Sequence, residues 1–151
     1  MPTRRLVLVR HAQADSGGAD LHRPLSERGR LDAAAIGRWL AANIEPDEVV
    51  VSPARRAVQT WEIAAVQLGA PPSATTDHRI YDNSIDDLVG VARECTPVVG
   101  VLVLVGHNPS MQGLAAADFP TASVAVLEFD GAWADFDPAM ATVTTVVSCR
   151  G

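Results

Sequence analysis

Leu6–Val9, Val49–Val51 and Val98–Val105 are runs of apolar residues with no polar alternation. Runs of this length and composition read as strands covered on both faces, the pattern of a parallel sheet flanked by helices. Between the first two runs, Ser26 to Ile44 places Ala33, Ile36, Leu40 and Ile44 at helical spacing, with Ser26 as the N-cap. After the second run, Ser52 is expected to cap a helix through Arg56, Thr60, Ile63 and Leu68 to Gly69. Pro53 would stand in its first turn, where its missing N–H needs no partner, and Pro71-Pro72 would end it. A further extended piece is expected around Thr75–Ile80. Ser84-Ile85-Asp86-Asp87 resembles a capping box opening a helix to about Glu94, and a short helix is expected from Ser110. Two β-rich runs, Ser123–Phe129 and Thr142–Cys149, close the chain. This order predicts an α/β class: a three-layer α/β/α sandwich on a mostly parallel central sheet, with β-rich C-terminal edge strands. No linker or repeat divides the chain, so residues 1–151 are expected to form a single domain.

Composition narrows the partners. The 151 residues are 48% hydrophobic and 20% charged, the balance of a globular chain, and a domain of this size buries roughly 68–70% of its unfolded surface. The formal net charge is −6, a field that repels phosphate backbones, so neither nucleic acid nor an anionic membrane is an expected partner. All 12 basic residues are Arg. With no Lys, a Walker-type phosphate loop and Schiff-base chemistry are excluded, and any phosphate clamp must be built from guanidinium forks. Cys95 and Cys149 have no metal-ligand spacing; they permit one disulfide, but two reduced thiols in a cytoplasmic protein is the expected state. The apolar run after Met1-Pro2-Thr3-Arg4-Arg5 is too short for a signal sequence or a membrane span.

Candidate chemistry gathers where the strands end. Leu6–Val9 runs into Arg10-His11, Val49–Val51 into Ser52-Pro53 and then Arg55-Arg56, and Val98–Val105 into Gly106-His107. In open α/β sheets ligands bind outside the carboxyl ends of the strands. Parallel strands would therefore bring two imidazoles and two or three guanidiniums to one edge, a concentration of positive potential suited to phosphate. A dinucleotide fold is disfavoured because Arg10-His11-Ala12-Gln13 stands where a Gly-x-Gly-x-x-Gly would be needed.

These motifs resemble those of the histidine phosphatase superfamily, also called phosphoglycerate mutase-like. Arg10-His11-Ala12 looks like its Arg-His-Gly/Ala motif, Ser52-Pro53-Ala54-Arg55-Arg56-Ala57-Val58-Gln59-Thr60 like its Ser-Pro-x-x-Arg-Ala-x-Gln-Thr motif, and Gly106-His107-Asn108-Pro109 like its third. Arg23-Pro24-Leu25-Ser26-Glu27-Arg28-Gly29 is similar to a segment of the small bacterial branch typified by the phosphohistidine phosphatase SixA. The resemblance implies a catalytic set of His11, Arg10, Arg56 and His107. His11 would be the nucleophile that becomes phosphorylated, and Arg10, Arg56 and His107 would bind the phosphoryl group. No metal or cofactor is expected, because the fixed cations do a metal's work. Arg55 falls on a variable position and is expected at the surface.

Two departures bear on substrate. Some members carry an Asp after the second His, or a Glu in a middle insertion, to protonate the leaving group. Here Asn108 follows His107, and the middle region reads His78-Arg79-Ile80-Tyr81-Asp82. His78 is expected as an exposed loop residue. A leaving group that needs little acid help, such as the imidazole of phosphohistidine, fits that pattern. The expected function is thus a metal-independent phosphatase acting on phosphohistidine or another activated phosphate, with a phosphorylated protein or small phosphorylated substrate as partner. Alternatives are a phosphomonoesterase using the same site and a non-catalytic phosphoprotein-binding domain. Gln13, Ser16 and Asp20, on the loop after His11, are expected to be solvated, and Trp39, Trp61 and Trp133 to be core or half-buried.

Overall fold

The computed structural model describes residues 2–151; Met1, the start of the N-terminal stretch discussed above, lies outside them. Strand β1 (Thr3–Arg10) is followed by helix α1 (Glu27–Asn43), β2 (Glu48–Val51), α2 (Arg55–Ala65) and β3 (Ala74–Thr76). Helices α3 (His78–Asp82) and α4 (Ile85–Arg93), strand β4 (Val101–Gly106), helix α5 (Ser110–Ala115) and strands β5 (Ser123–Asp130) and β6 (Thr142–Ser148) complete the chain. The sheet order is β3-β2-β4-β1-β5-β6. The first four of these positions pair in parallel, and β5 and β6 join antiparallel.

The continuous apolar runs divide between two cores because side chains alternate across a strand. Leu6, Leu8, Leu102 and Leu104 face one side, where they pack with Ile80, Leu88, Met111 and Trp133. Val7, Val9, Val103 and Val105 face the other, against Ala33, Ile36 and Leu40 of α1 and Ala57, Trp61 and Ala64 of α2. Helices therefore cover both faces, the expected three-layer sandwich. Each fully buried Leu or Val contributes roughly 1.5–3 kcal/mol relative to an exposed one.

Local expectations hold at α1, where Ser26 Oγ accepts the Gly29 N–H, and at α4, where Ser84 Oγ accepts that of Asp87. Four boundaries differ. Helix α2 begins at Arg55, not at Pro53, and Ser52 does not cap it: its buried hydroxyl contacts His107 instead. The same helix stops at Ala65, where Gln67 and Leu68 donate three residues back and tighten the chain into a turn before Gly69. The third extended piece covers only Ala74–Thr76, because Asp77 accepts the Arg79 N–H and caps α3; His78 is thus a helical residue, though exposed. Strand β4 begins at Val101, since the Val99 carbonyl accepts Arg4 Nη1 at 2.6 Å and Trp133 Nε1 at 2.7 Å rather than a ladder partner. Cys95 and Cys149 are free thiols, and the three Trp residues are buried or half-buried.

Candidate active site

The register of the sheet brings the strand ends together. Arg10 pairs with Gly106 in the β1–β4 ladder, and the His11 N–H donates to the Gly106 carbonyl at 3.0 Å. His11 and His107 therefore leave neighbouring parallel strands at the same level, with ring centroids 5.1 Å apart. Strand β2 lies on the other side of β4, and the Ser52 N–H donates to the Val105 carbonyl at 3.0 Å, so Arg56 enters from the following helix. Thr60, one turn along α2, fixes that helix to the loop: its Oγ1 accepts the Ala12 N–H at 3.0 Å and donates to the Arg56 carbonyl at 2.7 Å. Gln59 Oε1 accepts the Leu25 N–H at 2.8 Å. The loop after His11 also lies against α1, where Ser26 N–H donates to the Gln13 carbonyl at 2.9 Å. Gly29 is required there, because a Cβ at its position would stand 2.0 Å from that carbonyl oxygen.

All four predicted residues, Arg10, His11, Arg56 and His107, line one open cleft of about 610 Å³. Arg55 is exposed outside it, as expected. The hydrogen-bond network assigns the ring tautomers. His11 Nδ1 lies 2.7 Å from the Ala12 carbonyl, which can only accept, so Nδ1 carries the proton and Nε2 keeps a free lone pair. At His107, Nε2 lies 2.7 Å from Ser52 Oγ. Ser52 is fully buried and its only other partner, the Ala54 N–H at 3.2 Å, cannot accept; among the described residues Nε2 is thus the one acceptor for the hydroxyl proton, and His107 carries its own proton on Nδ1. His107 Nδ1, Arg10 Nε and Arg56 Nε are buried and have no partner among the described residues. Buried donors without acceptors carry a desolvation cost that an incoming anion would relieve.

Charge follows the same logic. Burial is the main cause holding the His11 imidazole down to about 4, and Arg56 and Arg10 push further in that direction against the Ala12 hydrogen bond. Burial likewise lowers His107 to about 3, aided by His11 and Arg56. Both rings are neutral at physiological pH, leaving the guanidiniums as the local cations.

Asp20, Tyr81 and Asn83 are among the further residues that line the cleft. Asp20, expected to be merely solvated, accepts from Arg56 Nη2 at 3.1 Å, from Arg23 Nη2 at 3.0 Å and from the Tyr81 hydroxyl at 2.6 Å. These donors, Tyr81 first, hold its carboxyl down to about 2. Tyr81 also meets the His107 ring edge-on, with centroids 5.7 Å apart. Asn83 supports the third motif: its amide donates to the Asn108 carbonyl at 2.6 Å, and its Oδ1 accepts from Ser110. No pattern in the sequence marked Tyr81 or Asn83; the Arg23-Pro24-Leu25-Ser26 segment was the one signal near Asp20. Gln13 lines the cleft mouth, whereas Ser16 stays exposed on the loop. Among the described residues, no group of three or more His, Cys, Asp or Glu gathers as a metal ion requires. Nor is any of their helices long and apolar enough to cross a membrane.

An α/β sandwich with paired histidines and guanidiniums at the carboxyl ends of its parallel strands has the geometry and charge that suit an oxyanion. The chain belongs to the histidine phosphatase superfamily (branch 1), whose family model matches residues 6–94. An uncharacterised protein of Mycobacterium tuberculosis is 33% identical over 155 residues, covering 89% of this chain and 96% of that relative. Among solved structures, a candidate phosphohistidine phosphatase SixA from Nakamurella multipartitia superposes with a TM-score of 0.87 at 28% identity, covering 99% of this chain and 98% of the other. The protein histidine phosphatase SixA solved with tungstate shares the fold, with a TM-score of 0.77 at 23% identity over 95% of this chain and 96% of its own.

Proposed function

We propose that the protein is a phosphohydrolase that passes a phosphoryl group through His11, with phosphohistidine or another activated phosphate as substrate. The observation that carries this reading is the unprotonated Nε2 of His11 facing a cleft with three unpartnered buried donors, Arg10 Nε, Arg56 Nε and His107 Nδ1. The Nε2 lone pair attacks phosphorus, and the bond from phosphorus to the leaving atom breaks with its electron pair. A water oxygen then attacks the phosphohistidine, Nε2 recovers its lone pair, and one water proton is released with phosphate. Splitting the reaction this way replaces one difficult displacement with two easier ones. The surrounding donors stabilise the equatorial oxygens as charge builds, each contributing roughly 3–4 kcal/mol in comparable sites.

Leaving-group chemistry favours the activated substrate. Asn108 stands after His107, and its side chain is engaged by the Phe119 carbonyl at 2.7 Å. The Asp20 carboxyl is held ionised by its three donors, so it offers no proton near neutrality. An imidazole leaving group, protonated from solvent, departs without a positioned acid more readily than an alkoxide. The open cleft also admits a side chain borne on a folded partner. The SixA relative solved with tungstate, a phosphate-like oxyanion, is consistent with this reading.

The test compares the wild-type chain with His11→Ala on a phosphohistidine peptide, phosphoramidate and a panel of sugar and nucleotide monophosphates. Turnover and acid-labile ³²P labelling are both expected to vanish in the variant. Their persistence would refute the role of His11. A preference for monoesters would replace the substrate with a small phosphomonoester. Binding without any turnover would leave a phosphoprotein-binding domain.

A further inference from the structure

Arg56 is 6% exposed, and among the described residues every hydrogen bond its guanidinium makes goes to Asp20. Nη1 donates to the Asp20 backbone carbonyl at 2.8 Å and Nη2 to its carboxylate at 3.1 Å. That carboxylate also draws in Arg23 and Tyr81, so two guanidiniums and a phenol converge on one anion. This is the donor set a phosphoryl group would need, already filled by the chain itself. The filler, however, is not part of the core. The Asp20 side chain is 53% exposed and opens a single 3-10 turn, Asp20–His22, at the end of a segment, residues 15–20, that is exposed throughout. Within it Gly17 and Gly18 both have positive φ, at 94° and 74°, and among the described residues nothing beyond their own chain neighbours lies within 4 Å of where their Cβ atoms would be. Consecutive glycines in open space let the backbone rotate at little steric cost.

We propose that Asp20 is a resident competitor for the phosphoryl group: in the free protein its carboxylate occupies Arg56 and Arg23, and substrate displaces it as the 15–20 loop swings out on Gly17-Gly18. This rests on the reading of Arg56 as a phosphoryl ligand. The competition is physically balanced. A monoanionic carboxylate on an exposed loop keeps the buried guanidinium paired while the cleft is empty, yet a dianionic phosphoryl group makes the stronger charge-assisted bonds. Apparent affinity is reduced by the fraction of time the donors are free, so a carboxylate engaged nine-tenths of the time weakens binding about tenfold. A site with this device rejects weakly held anions and admits those that also engage Arg10 and the histidines.

Tungstate affinity, measured by titration calorimetry on wild type, Asp20→Asn and Asp20→Ala, tests it. Asp20→Asn keeps the shape and removes the charge; Asp20→Ala removes the competing group and guards against a residual amide contact. Both are expected to bind tungstate about tenfold tighter, and KM for phosphoramidate should fall in parallel. Unchanged or weaker binding in both variants overturns the proposal; weaker binding together with a fall in kcat would make Asp20 a positioning residue for Arg56. If neither wild type nor variants bind tungstate, the proposal falls too. The underlying function fails separately: a wild-type chain that binds tungstate but hydrolyses nothing refutes turnover, while the affinity ratio still reports on Asp20.

Discussion

Ser52→Ala isolates the proton on His107. Ser52 is fully buried, and its hydroxyl donates to His107 Nε2 at 2.7 Å while accepting the Ala54 N–H. One such hydrogen bond contributes about 1 ± 0.5 kcal/mol net, and 1.4 kcal/mol is a factor of ten, so losing it shifts the tautomer ratio of His107 by about fivefold. Molecules carrying the proton on Nε2 present a lone pair, not a donor, to the phosphoryl oxygens. The expected result is a fall in kcat/KM of about two- to tenfold on phosphoramidate. Deleting a phosphoryl donor outright typically costs on the order of 10²–10³. Stability should fall by about 1–3 kcal/mol, because the Ala54 N–H and His107 Nε2 lose their partner in a dry site. Ring ¹⁵N shifts read the tautomer directly, and urea unfolding reads stability apart from turnover. An Nε2–H signal in the wild-type protein, an unchanged kcat/KM, or a loss near a thousandfold would each refute the reasoning.

Acid should destabilise the fold through the same histidines. His11 is held down to about 4 in the folded state against about 6.5 unfolded, so between those values the unfolded chain binds more protons. Its stabilisation is complete above pH 6.5 and is lost as pH falls toward 4, amounting to about 3 kcal/mol by linkage. The urea midpoint should fall over that window, and less steeply in His11→Asn; a flat profile in wild type would contradict the burial argument. Gly29→Ala should cost about 2–3 kcal/mol, since the added methyl meets the Gln13 backbone rather than a yielding side chain. A melting temperature equal to wild type would show that the loop gives way freely.

Local chemistry was legible wherever one stretch of sequence decides it. Unbroken apolar runs announced the buried strands, Ser26 and Ser84 announced their caps, and Arg10, His11 and His107 stood at strand ends, with Arg56 in the helix that follows one, which the parallel register then brought together. What escaped depends on contacts between distant segments. Ser52 reads as a cap until the β2–β4 pairing sets an imidazole beside its hydroxyl. Asp20 reads as a solvated loop residue because its partners Arg56 and Tyr81 are 36 and 61 positions away. Ile80 reads as part of a strand, but its side chain fills the space that the missing side chain of Gly106 leaves beneath β4, where a Cβ would come within 2.6 Å of it. Strand β6 has no buried side chain, so only its propensity marked it.

The ladder between β1 and β4 also bears on how such a scaffold can diversify. A one-residue slip turns every side chain on a strand to the opposite face, so the spacing of the two imidazoles is protected by the same valines and leucines that keep the domain folded. The segments around the mouth carry no such constraint. New specificities can therefore arise by lengthening or recolouring those borders while the machinery beneath is inherited intact.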